Sequence, residues 1–109
     1  TGYERSTMGD ALAAAGIPLV ADSRPGKRFF ERSDNYALAQ RGIVAHTLSS
    51  YNLHADYHQP SDDVTKVDPV HMTAVIRAAA RAVRILADGP KPQWKAGGNP
   101  APPAPRPAP

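Results

Sequence analysis

The stretch from Asp68 to Gly89 constrains this 109-residue chain more than any other. Asp68-Pro69 is a helix start in which a capping carboxylate is followed by proline at the first helical position. Met72, Val75, Ile76, Ala79, Val83 and Leu86 then recur on one face, and Arg77, Arg81, Arg84 and Asp88 fall on the other. Gly89-Pro90 ends the run. A helix with so long an apolar stripe must cover something, so the rest of the chain has to supply a surface.

The segments before it alternate. Ser6 or Thr7 can cap a helix carrying Met8, Leu12 and Ala15 on one face, with Gly16 as its stop. Ile17-Pro18-Leu19-Val20-Ala21 reads as a short buried strand, and Asp22-Ser23-Arg24-Pro25-Gly26-Lys27 as a loop. Phe29-Phe30 is an apolar anchor. Ser33 or Asp34 can cap a second helix through Tyr36, Leu38 and Ala39 that ends at Gly42. Ile43-Val44-Ala45-His46-Thr47-Leu48 reads as a second strand, and residues 49–61 as a long polar loop holding Tyr51, His54, Tyr57 and His58. The order helix–strand–helix–strand–loop–helix predicts an α/β fold with a mainly parallel sheet. Two strands cannot make such a sheet without leaving long unpaired edges, so the reading implies further strands upstream of Thr1 or on a partner.

From Pro90 the chain turns Pro-, Ala- and Gly-rich, with Trp94 as its one large apolar group. Such a segment buries too little to offset its ordering entropy, so residues 90–109 are expected to form a disordered Pro-rich tail beyond a folded part spanning 1–89. The Pro102/Pro105 spacing with Arg106 would suit an aromatic-lined groove, but a passive spacer explains it as well. The absence of cysteine excludes disulfides and thiolate metal sites, and leaves histidine and carboxylate as metal ligands. A formal net charge of +3, scattered and without interleaved aromatics, argues against nucleic acid as a partner. No apolar run reaches the length of a membrane span.

The densest cluster of chemical groups is His54-Ala55-Asp56-Tyr57-His58-Gln59-Pro60-Ser61-Asp62-Asp63. His54 and His58 are four apart, as in the helical zinc motif, but Ala55 stands where that motif has its glutamate base. His54-Ala55-Asp56 is a His-x-Asp pattern of little specificity by itself. His46 reads as a core or edge residue of its strand, and His71 as an exposed residue in the first turn of the last helix.

Two stretches carry a resemblance. One is Phe29-Phe30-Glu31-Arg32-Ser33-Asp34-Asn35-Tyr36 on through Arg41-Gly42-Ile43, and the other is Leu53-His54-Ala55-Asp56-Tyr57-His58-Gln59-Pro60-Ser61-Asp62-Asp63. Together with the long final helix they resemble the last third of the dizinc aminopeptidase family (peptidase family M, number twenty-eight), over roughly Gly2 to Leu86. The resemblance implies a fragment of a three-layer α/β/α zinc-exopeptidase domain. It implies zinc as the cofactor, two ions in the intact domain, and His58 as the last ligand of one of them. It further implies that Tyr57 steadies the oxyanion and that Asp34 orients groups near the metal centre, although Asp34 and Ser33 could equally cap a helix. Asn35 departs from the family's usual histidine, and Val44 from its usual proline. The implied partners are a peptide substrate with a free N-terminus and the missing N-terminal part of the same domain, and the implied location is periplasmic or secreted.

The family's other ligands, a His-x-Asp, a Glu-Glu pair whose first member is the general base, and a lone aspartate, precede this region. Here the two glutamates, Glu4 and Glu31, lie far apart. The chain therefore carries one of five expected ligands and no base, and is expected to be inactive alone. The alternative is a non-catalytic α/β remnant or interaction module.

Overall fold

The computed structural model describes residues 1–50 and 54–101. Three α-helices organise them: α1 (Thr7–Ala14), α2 (Asn35–Ala39) and α3 (Pro69–Asp88). Short 3-10 turns occupy Tyr3–Arg5, Pro25–Lys27, Phe29–Arg32 and Val64–Lys66.

The helix ends follow from single residues. Ser6 caps α1, its hydroxyl oxygen accepting from the Met8 amide at 3.2 Å. At the other end the Gly16 amide donates to Ala13 and the Ile17 amide to Leu12, with Gly16 at φ 75°. This paired closure needs a residue in the left-handed region, which glycine enters at no steric cost. The same pair of bonds closes α2, from Gly42 to Ala39 and from Ile43 to Leu38, with Gly42 at φ 80°. Asp68 caps α3, its carboxylate accepting from Val70 at 2.9 Å and His71 at 3.0 Å, with proline following.

The expected mainly parallel sheet is not formed, and this corrects the α/β reading. Among the described residues there is no strand, and the one β-type contact is an isolated antiparallel bridge between Ser6 and Trp94. Of residues 17–21 and 43–48 only Ile17 is buried, while Val20, Ile43 and Leu48 are 92%, 50% and 46% exposed. Ile17 is buried beside Leu12, and residues 43–48 run past Thr1, whose amine donates to the Thr47 carbonyl at 2.7 Å. The reason is one of partners. An apolar, β-branched run becomes a strand only when a neighbour takes up its amides and carbonyls. No neighbouring run does so among the described residues.

Two small cores result. The first joins Leu12, Ile17 and Ala82, flanked by Met8, Leu19, Ala78, Ile85 and Leu86. Here α3 is rolled by about one residue from the stripe expected of it: Ala78, Ala82 and Ile85 face inward, while Met72, Ile76 and Val83 stay 47%, 57% and 68% exposed. The alanines allow α3 to approach the short α1 closely, and the larger residues are left without a surface to cover. The second core is aromatic. Phe30 is buried beneath Tyr36, His46 and Trp94, with ring centroids 5.9, 5.7 and 6.4 Å away, and the Arg5 guanidinium lies 4.4 Å above its ring. Asn35 locks this core to the next segment, donating to the Phe30 carbonyl and accepting from the Thr47 hydroxyl.

Past Gly89 the chain turns back. Residues 93–98 lie against residues 5–7, with Trp94 inserted into the aromatic core. The radius of gyration, 16.4 Å, exceeds the about 13 Å of a compact chain this long. The Tyr51–Leu53 part of the polar loop and the Pro102/Pro105/Arg106 pattern lie outside the described residues.

Candidate functional site

The motif loop connects residues 43–48 to α3. It is a chain of tight turns, with the Tyr57 amide donating to His54, Gln59 to Asp56 and Asp62 to Gln59. His54 and His58 therefore do not share a helix face, and the helical zinc motif is not formed. The turn ends at Asp63, whose carboxylate accepts from the Thr65 amide and hydroxyl at 2.9 and 2.6 Å and heads the Val64–Lys66 turn. These bonds hold the Asp63 carboxyl below the usual carboxylate range. Asp63 thus caps the turn that begins at Val64.

His58 sits at the apex at φ 59°, a left-handed conformation uncommon for a residue with a Cβ. Its ring stacks on Tyr57, with centroids 3.9 Å apart and planes 18° from parallel. Both side chains are exposed, Tyr57 by 47%. His58 is exposed, and among the described residues its imidazole makes no hydrogen bond or ion pair. A stacked neighbour and a fixed backbone limit the ring's orientations, which is how a loop can present an imidazole to an incoming metal.

Behind the apex is a polar hollow lined by His54, Asp56, Asp62, Lys66 and Val67. Asp56 is its centre. It accepts from the Ser61 hydroxyl at 2.7 Å and pairs with Lys66 at 3.2 Å, and these two bonds, with a smaller contribution from His54, keep its carboxyl below the ordinary carboxylate range. His54 stands between Asp56 and Asp62 at 4.0 and 3.9 Å. The internal pairing with Lys66 makes the hollow a brace for the loop rather than an open ligand set.

Asp34 is exposed at the head of α2 and makes no capping hydrogen bond; the Ser33 carbonyl accepts from Tyr36 instead. Among the described residues no hydrogen bond or ion pair joins Asp34 to Tyr57 or His58. Asn35, at the position of the departure noted above, is buried and structural. Among the described residues no three histidine, aspartate or glutamate side chains converge to hold a metal ion. A catalytic zinc takes about three protein ligands, so these residues do not by themselves fit one.

Sequence reasoning missed His46 as a hub. Its Nδ1 lies 2.9 Å from the Thr1 carbonyl and its Nε2 lies 2.8 Å from the Ser6 hydroxyl. A carbonyl only accepts, so Nδ1 carries the proton and Nε2 accepts from Ser6. Burial of the ring holds the His46 pKa below its usual value. No sequence signal marked this residue, because its partners are far along the chain.

Comparison with protein families identifies the chain as peptidase-related. It belongs to Peptidase family M28, whose family model matches residues 1–83. No curated protein and no solved structure gives a match. Among the described residues no helix is long and apolar enough to cross a membrane.

Proposed function

We propose that this chain is the C-terminal part of a zinc-dependent aminopeptidase domain, incomplete and inactive alone, whose task is to bring His58 and Tyr57 to the active site. The observation that carries the reading is the Tyr57–His58 apex. An exposed imidazole, fixed by a left-handed backbone and a stacked phenol, stands at the end of a braced loop in a chain of this family. When bound by the intact domain, zinc would supply a Lewis acid and an activated water for cleaving the first peptide bond. The roles of this chain's residues are narrower. His58 would offer one neutral nitrogen as a ligand, and Tyr57 a phenolic O–H to developing negative charge on the carbonyl oxygen. Asp34 would orient neighbouring groups once the remaining segments are in place. The substrate would be a peptide with a free N-terminus.

Two further observations support an incomplete domain. The glutamates are Glu4 and Glu31; both pair with Arg5 and Glu31 also with Arg28, so each is engaged by arginine rather than free to act as a general base. The exposed Met72, Ile76 and Val83 on α3 form an apolar face of the kind that further parts of a domain cover. A folded part over 1–89 and a Pro-rich segment over 90–109 remain the division proposed, with residues 93–98 of the latter docked against residues 5–7. The test is His58→Ala in the intact domain: zinc content and turnover of an N-terminal peptide substrate should both fall. Unchanged zinc content would remove His58 as a ligand.

A further inference from the structure

The segment that returns over the aromatic core is held like a bound peptide. Its backbone pairs with residues 5–7 in the antiparallel sense: the Thr7 amide donates to the Gln93 carbonyl and the Lys95 amide to the Arg5 carbonyl, each at 2.9 Å. The Gln93 amide donates to the Thr7 hydroxyl at 3.0 Å, and the Arg5 guanidinium to the Gly98 carbonyl at 3.3 Å. The Trp94 indole enters between Phe30 and His46 and its N–H donates to the Gly42 carbonyl at 2.9 Å. The Lys95 ammonium meets the Asp10 carboxylate at 2.6 Å. Gly98 is buried, and a Cβ there would run into the Arg5 carbonyl. Main-chain pairing supplies affinity and side-chain pockets supply selectivity, which is the logic of strand addition. These residues lie beyond the family match, which ends at residue 83.

We propose that residues 5–7, Asp10, Phe30, Gly42 and His46 form a peptide-binding groove, and that residues 93–98 of the same chain are its resident occupant. The groove selects an extended backbone with tryptophan, a basic residue directly after it, and glycine four positions after the tryptophan. Occupation in cis joins the end of α3 to the start of α1 and closes the aromatic core. The proposal is independent of the peptidase reading, since none of these residues belongs to the Tyr57–His58 apex.

The test uses the full chain, its Gly98→Ala variant, and a dye-labelled synthetic peptide of residues 90–101. Tethering gives the resident segment an effective concentration in the millimolar range, so the native chain should bind the free peptide weakly. Gly98→Ala loosens the resident segment and leaves the groove intact, so its fluorescence anisotropy titration should saturate at a peptide concentration roughly tenfold or more lower. A peptide in which Trp94 is alanine should lose about tenfold in affinity. Equal binding to both chains, or binding to neither, overturns the proposal. Hydrogen exchange on the native chain is a check that needs no variant: the Thr7 and Lys95 amides should be protected, and exchange at the free-peptide rate would also overturn it. Gly26→Ala, in open space, is the control expected to behave as the native chain.

Discussion

Replacing Asn35 with alanine tests whether the second core is held by one buried amide. The side chain is 7% exposed and spans two segments. It donates to the Phe30 carbonyl at 3.2 Å and accepts from the Thr47 hydroxyl at 2.8 Å, while its contact with the Ala45 carbonyl, at 3.4 Å, is too long to count for much. Each of the two good bonds contributes about 0.5–1.5 kcal/mol net, and the carbonyl and hydroxyl left behind lose a partner in a half-dry setting. The expected cost of Asn35→Ala is therefore about 2–3 kcal/mol. For a domain of this size that corresponds to a fall in Tm of roughly 10–20 °C. Asn35→Asp should be at least as damaging at neutral pH, because it turns the donor toward Phe30 into a second acceptor. The assay is thermal unfolding followed by circular dichroism, with Trp94 fluorescence as a second probe. A change under about 0.5 kcal/mol, the size of an ordinary surface substitution, would refute the claim that Asn35 ties α2 to residues 45–47.

Three other outcomes follow from the same geometry. Gly42→Ala should cost about 1–2 kcal/mol from backbone strain alone, since φ is 80° and the space around it is open; an equilibrium urea titration measures it. Asp68→Ala removes both capping hydrogen bonds at the start of α3 and should cost about 1 kcal/mol, seen as reduced helical ellipticity and a lower denaturation midpoint. Stability should also fall as pH drops below about 6.5. Burial lowers the His46 pKa in the folded state, so the unfolded chain takes the proton first; the loss begins at the unfolded value and levels off below the folded one. Denaturation midpoints compared between native chain and His46→Gln across that range should show a smaller pH slope in the variant.

The helices were legible in the sequence because their signals are local. Ser6, Gly16, Gly42 and Asp68-Pro69 each act on the turn they sit in, and each does so in the structure. The two expected strands do not form, because a strand is a property of a pair, and among the described residues no run pairs with 17–21 or 43–48. The roll of α3 has the same origin. The stripe through Met72, Ile76 and Val83 is real, but with α1 as its neighbour the alanine stripe beside it gives the closer fit. At the proposed site, Tyr57 and His58 were singled out by their motif, and their rings stack on each other. The packing of Trp94 was missed because composition averages over a segment, and one indole with a slot to enter outweighs the prolines and glycines around it. Ser6 was read as a cap and its hydroxyl also bonds to His46 Nε2, a contact across forty residues that no spacing rule reports.

The central claim is that His58 is a metal ligand delivered by this segment to a larger site. Its most direct measurement is zinc content of the intact domain, by elemental analysis after dialysis, for native protein and His58→Ala side by side. Loss of even an outer-shell partner weakens zinc binding about 10–100-fold, and loss of a ligand should cost more. The account predicts that His58→Ala retains at least one zinc ion fewer per molecule and loses turnover with it. Full zinc content in the variant, with turnover intact, would contradict it.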